Sequence, residues 1–402
     1  MAASPSTPAT ASVSVPRELD PFLLEHLDDP YPLYQRLRDL GPVLHLPSRN
    51  VWVVSHHDSV SAVLRNYRQF VSGLGSSYVR VADSGFRAPF IDNDPPEHTR
   101  IRRSVQQRFQ RSAIEELRPG IRETTERFVD AAVAEGEVDV VTALTQPLPD
   151  LAIRQLTGIT PPDTDTITSW ADSVMHMVGP DADPIHLARV LQAFEWLGGE
   201  GLATMPPHCL GRLVTEQGGD TGLLKEGEER LLVLGSIWLA GIDSTNSLMA
   251  NAIHAFARFP QAWEALRADP DLIPNAVEEV LRWDSPFRQF FRRTLEEVEI
   301  GGVTIPPDTD VCAILPAANR DPDRFPDPDT LDIARSNARQ HVAFGASIHL
   351  CIGAPVARLE AAEFLTALSA RVSRFEIAGT PVRNCNREIR NFSSLPIRLV
   401  TD

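Results

Sequence analysis

Apolar residues recur along this chain with two different periods, and the helical period dominates. Apolar positions three and four apart predict α-helices over residues 30–40, 59–66, much of 96–135, 226–259, 274–283 and 354–372. Short runs rich in β-branched residues predict strands at 51–54, 293–300, 303–305 and 310–313, with more strand-like segments at the C-terminus. The fold is therefore predicted to be mainly α with a minor β part.

Two segments follow neither period. Residues 1–16 are uncharged apart from the chain end and rich in Ala, Ser, Thr and Pro, a composition that predicts a disordered tail. Residues 72–93 are rich in Gly, Ser, Asp and Pro and predict a long loop, which in a compact domain usually has a function. Since no further linker, repeat or charge block interrupts the chain, residues 17–402 are expected to form one domain.

Composition narrows the possible partners and the compartment. The chain has 402 residues, 43% of them apolar, and a net charge of −16, so neither nucleic acid nor an anionic membrane is an expected partner. Its four cysteines lie far apart without a C-x-x-C pair, which favours a reducing, cytoplasmic compartment. The longest apolar run, 231–242, is too short to span a bilayer, and no signal-peptide pattern is visible, so a soluble protein is expected.

The run FGASIHLCIG, at 344–353, places Cys351 just before an apolar helical stretch. A cysteine thiolate is a strongly donating ligand that can hold haem iron from one side. Glycines in the run would let the backbone pass close to a flat cofactor and let amides point at the sulfur. A lone cysteine is more often a small buried apolar residue, so the interpretation depends on further motifs.

This run resembles the haem-ligand loop of cytochromes P450, in which Phe and Gly lead into Cys-x-Gly. The resemblance implies that Cys351 binds the iron of haem b. It also implies cofactor contacts from neighbouring loop residues: Phe344, Gly345, His349 and Gly353. Ser347 stands where most members have glycine, and serine adds strain if that position needs a positive φ.

The predicted helix 226–259 contains an aspartate beside two hydroxyl residues, in the order Asp243, Ser244, Thr245. The hydroxyls could simply bond back to the preceding helical turn while the aspartate faces solvent. The stretch also resembles the central P450 helix, whose acid and alcohol deliver protons to bound oxygen. That resemblance makes Asp243 the acid, with Ser244 at the usual threonine position and Thr245 as a possible substitute.

Two further motifs complete the resemblance. Glu279 and Arg282 match the buried Glu-x-x-Arg pair of the family, which a later arginine joins, and Arg324 is the arginine assigned here. The run DPPEHTRIRR, at 94–103, matches the family segment that binds haem propionates. The resemblance then implies four propionate donors: His98, Arg102, His349, and Arg292 in preference to Arg293.

The motifs occur in family order over about residues 20–402, so the resemblance implies the cytochrome P450 fold and a soluble bacterial haem-thiolate monooxygenase. Such an enzyme inserts one oxygen atom from O2 into a small organic substrate. Electrons from NAD(P)H are expected through a ferredoxin and a ferredoxin reductase. The ferredoxin is expected to dock on the Cys351 side, on a basic patch of four arginines: Arg100, Arg103, Arg108 and Arg339.

The segments 283–302 and 391–399 are similar to those of P450s that O-demethylate para-methoxybenzoate. A small aromatic substrate is therefore expected, in a pocket formed by Leu74, Trp238, Ala240, Phe287, Phe290 and Phe392. Leu74 lies near where those enzymes carry an arginine for the carboxylate, so a neutral ether of guaiacol or syringol type is also an expected substrate.

Alternatives remain open at this point. Ser244 could mark a member that uses peroxide, and a biosynthetic C–H hydroxylase of a terpene or polyketide would carry the same motifs. A haem-thiolate binding protein without turnover is a third possibility.

Overall fold

The computed structural model describes residues 13–79, 87–177, 179 and 183–402 of the chain. It confirms a mainly α fold with a minor β part. The helices are α1 Tyr31–Leu40, α2 His57–Arg65, α3 Glu97–Arg103, α4 Arg111–Glu115, α5 Arg118–Glu135, α6 Pro147–Thr157, α7 Thr164–Met177, α8 Pro184–Trp196, α9 Leu202–Thr204, α10 Leu210–Gln217, α11 Glu228–Arg258, α12 Pro260–Ala268, α13 Ile273–Trp283, α14 Leu315–Asn319 and α15 Ala354–Ser369.

The strands are short and form small sheets. They are β1 Val13–Ser14, β2 Val43–Leu46, β3 Val51–Val54, β4 Phe70–Val71, β5 Glu137–Asp139, β6 Gln289–Thr294, β7 Val298–Ile300, β8 Val303–Ile305, β9 Asp310–Ile314, β10 Arg374–Ile377, β11 Val382–Arg383, β12 Phe392–Ser394 and β13 Pro396–Val400. A six-stranded sheet has the order β1-β2-β3-β9-β6-β4, and a three-stranded sheet has the order β10-β13-β5. Two antiparallel pairs, β7–β8 and β11–β12, complete the β part.

The boundary of the predicted N-terminal tail is wrong by a few residues. Val13 and Ser14 pair in parallel with Leu44 and His45 of β2, and the side chain of Val15 is 4% exposed. An extended edge strand of two residues has too little pattern to be recognised before its partner is known. The first twelve residues of the predicted tail lie outside the described residues.

Helix α11 passes through the middle of the apolar core. By length and composition it could cross a membrane, but 67% of its most apolar 18-residue stretch is buried inside the protein, as expected of a core helix. Its N-terminal half, around 233–242, packs into one apolar cluster, and its C-terminal half, around 248–256, packs into another. The polar stretch 243–247 lies between these two clusters. A cavity lies beside this part of α11.

Candidate active site

A cavity of about 330 Å³ lies beside the middle of α11. Among the described residues, its wall includes parts of α11 and α7 and residues from the segments 76–79, 88–92, 286–290 and 343–357. Most of the side chains in the wall are apolar, so a polar or charged group among them has few partners and is informative about the ligand.

The loop 343–353 brings Cys351 to the cavity. The amide of Cys351 donates to the carbonyl of Phe344 at 2.9 Å, which closes the loop, and Gly345 has a φ of +71°. Cys351 is exposed at the surface of the open cavity, but the protein packed around its thiol raises the pKa of that thiol, while the amides of Gly353 and Ala354 and the charge of Arg102 act in the opposite direction. These amides point at the sulfur and stabilise the thiolate, as a ligating cysteine requires. Cys351 is the one cysteine among the described residues that line the cavity.

Ser347 adopts a φ of +60°, the left-handed conformation that the sequence suggested for this position. A non-glycine residue there costs roughly 1 kcal/mol. The variant Ser347→Gly is therefore expected to stabilise the protein by about 0.5–1 kcal/mol, because the greater freedom of glycine in the unfolded chain removes part of the gain. Urea unfolding measures this change. The control Ser347→Ala keeps the strain and should give no gain; equal stability of the two variants would contradict the prediction.

Four buried or half-buried nitrogen-bearing side chains of the cavity region form no ion pair within the described residues: His98, Arg102, Arg292 and His349. Both ring nitrogens of His98 and of His349 are buried without a hydrogen-bond partner within the described parts of the chain, and the two rings lie 4.6 Å apart. Burial, then Arg292 and His98, lowers the pKa of His349 to about 3. Burial also lowers the pKa of Arg292 to about 10. Arg102 lines the cavity close enough to oppose the burial effect on Cys351.

Such a set of donors is energetically unfavourable unless an anion joins it, because buried cations and unpaired donors lose their hydration. A flat cofactor with two carboxylates beside a thiolate would supply that anion. The donor set therefore fits haem b, with its propionates towards His98, Arg102, Arg292 and His349 and its iron at Cys351.

The acid and alcohols of α11 divide between the core and the cavity. Asp243 is 1% exposed, so the alternative in which it faces solvent is wrong, and its Oδ2 has no hydrogen-bond partner among the described residues. Burial, assisted by Asp172, raises the pKa of Asp243 well above its usual range. Ser244 and Thr245 line the cavity, and the Ser244 hydroxyl donates to the carbonyl of Ala240 at 2.9 Å.

The buried ion pair between Glu279 and Arg282 is present, with N–O distances of 2.7 and 2.8 Å and both side chains fully buried. The third member is Arg335, whose Nε donates to Glu279 Oε1 at 3.1 Å. The assignment of Arg324 is wrong, because Arg324 is exposed and its recorded hydrogen bonds involve its backbone.

Three of the six residues predicted to form the substrate pocket lie in the cavity wall. Ala240, Phe287 and Phe290 line the cavity, and the two phenylalanine rings lie 5.4 Å apart.

Three predicted pocket residues lie elsewhere. Leu74 is 48% exposed and outside the cavity wall. Trp238 points into the core, where its ring packs on Trp170 and Trp196. Phe392 is buried against His254 and under the guanidinium of Arg383. For Trp238 the error concerns the helix face, because this residue lies on the side of α11 that is covered by α7 and the end of α8.

The expected basic patch is weaker than its four arginines suggest. Arg100 forms ion pairs with Glu97 and Glu229, at 2.8 and 2.5 Å, and Arg108 pairs with Asp220 at 3.1 Å. Arg103 and Arg339 are exposed, so two of the four charges remain for a partner.

Two cavity residues were missed. Asp92 lines the cavity and accepts hydrogen bonds from the amide and hydroxyl of Ser76, at 3.0 and 2.6 Å. Glu388 lines the wall next to Phe287. Both lie in polar loop sequences, where a buried acid has no signal that separates it from a solvated one.

Comparison with known proteins agrees with this geometry. Residues 228–396 match the family model described as Cytochrome P450. Cytochrome p450 CYP199A2 of Rhodopseudomonas palustris is 35% identical over 409 residues, covering 98% of this chain and 97% of that protein. The monooxygenase PikC of Streptomyces venezuelae is 36% identical over 391 residues, covering 92% and 91%. The structure of cytochrome P450 CREJ in complex with (4-ethylphenyl) dihydrogen phosphate has a TM-score of 0.84 and 28% identity, covering 93% and 98%.

The chain therefore belongs to the cytochrome P450 family, and it is a haem-thiolate monooxygenase of the bacterial type. Its cofactor is haem with a cysteine thiolate as iron ligand, and its electrons come from NAD(P)H through partner proteins, as in bacterial members of the family.

Proposed function

We propose that Cys351 is the iron ligand and that His98, Arg102, Arg292 and His349 hold the haem propionates. Support comes from the position of Cys351 at the cavity and from the unpartnered nitrogens around it. When bound, the haem supplies oxygen activation and insertion of one oxygen atom into a C–H bond.

The protein's own contribution is to hold protons and exclude water. Asp243 is buried directly before the cavity-lining residues Ser244 and Thr245, and burial raises its pKa well above its usual range, which favours the protonated form of this carboxyl. We assign it the role of proton donor, with the hydroxyls of Ser244 and Thr245 as the groups that present protons to the cavity. Ser244 can fulfil this role after its hydroxyl releases the carbonyl of Ala240.

We further propose that the substrate is a small methoxy-aromatic compound and that the enzyme O-demethylates it. The observation that carries this proposal is the pair of phenylalanine rings on the cavity wall, in the segment that resembles methoxybenzoate demethylases. CYP199A2 aligns over nearly the whole chain, and CREJ holds a para-substituted aromatic ligand in a similar fold. The reaction consumes the ether, O2, two electrons and two protons, and it yields a phenol, formaldehyde and water.

In this proposal the electrons pass through a ferredoxin and its reductase in the cytoplasm. Docking would use the side of the protein that carries Arg103 and Arg339, the two exposed arginines of the expected patch.

The similarity to PikC favours one other function. PikC is as similar to this chain as CYP199A2 is, and 6-deoxyerythronolide B hydroxylase is 32% identical over 92% of the chain, so a C–H hydroxylase of a terpene or polyketide is the second candidate.

The test is an incubation of the haem-loaded enzyme with NADPH, a ferredoxin and its reductase, separately with guaiacol, syringol and para-methoxybenzoate. Formaldehyde and the demethylated phenol are expected in equal amounts from at least one of them. The control omits the reductase. No formaldehyde from any of the three would contradict O-demethylation. Equal product from hydrogen peroxide alone would indicate a peroxide-using enzyme.

A further inference from the structure

Glu388 is a buried acid on the wall of the cavity. It lies in the turn between β11 and β12, its side chain is 4% exposed, and its Oε1 has no hydrogen-bond partner among the described residues. The same residue lines the cavity beside Pro286 and Phe287. A buried carboxyl oxygen without a hydrogen-bond donor has lost its hydration without compensation, so the cavity wall at Glu388 favours a ligand that supplies a donor.

Hydrogen bonds fix the backbone at Glu388. The Glu388 amide donates to Asn386 Oδ1 at 2.8 Å, and the Glu388 carbonyl accepts from the amide of Arg288 at 2.9 Å. The next residue, Ile389, forms an antiparallel bridge with Phe287. The backbone that carries the carboxyl therefore has a fixed position relative to Phe287, and this part of the chain does not have to be ordered when a ligand binds.

The charges around Glu388 leave it without a close ionic partner. Burial raises its pKa to about 8, while the side chain of Gln289 and the charge of Arg288 act in the opposite direction. The Arg288 guanidinium donates to the carbonyl of Leu27 at 2.7 Å, and the described residues include no ion pair within 4.0 Å between Arg288 and Glu388. At neutral pH the carboxyl is therefore mostly protonated, and it accepts or donates hydrogen bonds without strongly attracting ions.

We propose that Glu388 determines substrate specificity by binding a phenolic hydroxyl of the substrate while the rings of Phe287 and Phe290 contact its aromatic face. This proposal rests on the proposed function, since it names the polar group of the methoxy-aromatic substrate. Among the described lining residues Arg102 is the one arginine or lysine, and the propionate site uses it. A substrate carboxylate would thus meet no further cation in the described part of the wall, which favours a guaiacol-type phenol over a benzoate.

The test compares dissociation constants from titration of the ferric, haem-loaded protein with three probes. Guaiacol carries the phenolic donor, veratrole is the same molecule with that donor methylated, and para-methoxybenzoate is the anion. Wild type is expected to bind guaiacol about tenfold more tightly than veratrole or para-methoxybenzoate, the effect of one buried hydrogen bond.

Variants locate the effect at residue 388. Glu388→Leu should bind guaiacol and veratrole with about equal dissociation constants. Glu388→Gln should keep most of the preference for guaiacol, because its amide oxygen still accepts a hydrogen bond. Glu388→Met, an unbranched apolar side chain, serves if the leucine variant does not fold. Glu360→Gln is the matched control, because Glu360 is also a buried acid on the cavity wall with one unpartnered oxygen; it should leave the preference unchanged.

A wild-type preference for veratrole or para-methoxybenzoate would overturn the proposal, as would an unchanged preference in the apolar variants. If none of the probes binds, both this inference and the small-aromatic substrate are wrong. If the preference depends on Glu388 but wild type forms no formaldehyde, the binding role is supported and O-demethylation alone is wrong.

Discussion

Replacing Arg335 with alanine should destabilise the protein by about 3 kcal/mol, since a buried ion pair loses one of its members. The Arg335 guanidinium donates to Glu279 and to the carbonyls of Pro326, Asp327 and Thr330. Glu279 is fully buried and would keep Arg282, but its Oε1 would lose a charged donor. Domains of this kind are stable by only about 5–15 kcal/mol, so the variant should lose a large fraction of its free energy of unfolding.

The measurement is urea unfolding of the haem-loaded variants, together with the haem content of the purified protein. Arg324→Ala is the matched control, because Arg324 is exposed and lies in the same loop region; its effect should stay within about 0.5 kcal/mol. Arg335→Lys should be intermediate, because an ammonium keeps the charge but not the planar set of donors. A larger effect of Arg324→Ala than of Arg335→Ala would restore the sequence-based assignment.

The reason for that error is physical. Glu279 and Arg282 are three residues apart on one helix, so local geometry brings them together and the sequence shows it. The third arginine approaches from more than fifty residues away, and the segment 320–340 contains four arginines, at 320, 324, 335 and 339. Which of them points towards Glu279 depends on how the segment 320–340 folds over α13. The spacing of apolar residues in the sequence does not predict the course of that segment.

Helices and strands were predicted correctly where burial of one face gives the apolar residues a regular spacing in the sequence. Helix α11 was expected at 226–259 and occupies Glu228–Arg258, and strand β3 was expected and observed at Val51–Val54. The two-residue strands β1 and β4 were missed, because they are defined by their partners and not by a pattern of their own.

The same distinction applies to the site. His98 and His349 were expected near one another from motifs, and the structure brings their rings to 4.6 Å. Trp238 was placed on the wrong face of a helix that is apolar almost all round, where hydrophobicity does not indicate which side meets the cavity. Glu388 was missed for the opposite reason, since its neighbours Asn386 and Arg387 suggest a solvated turn.

The largest expected effect is that of Cys351→Ser. Serine has nearly the same shape but a hydroxyl that does not ionise at neutral pH, so the strongly donating thiolate is lost. Product formation from any substrate is expected to fall by at least about a thousandfold, or about 4 kcal/mol in barrier height. The carbon monoxide difference spectrum should lose the band that distinguishes thiolate-ligated haem, while circular dichroism should show an unchanged helical content.

The control is Cys385→Ser, because Cys385 is exposed and outside the cavity wall, and this variant should keep both the band and the activity. Retention of the thiolate band in Cys351→Ser would mean that another cysteine ligates the iron. Of the remaining two, Cys312 is fully buried in β9 between β3 and β6, and Cys209 precedes α10. Either would have to leave its packing to reach the cavity, so the band should depend on Cys351 alone.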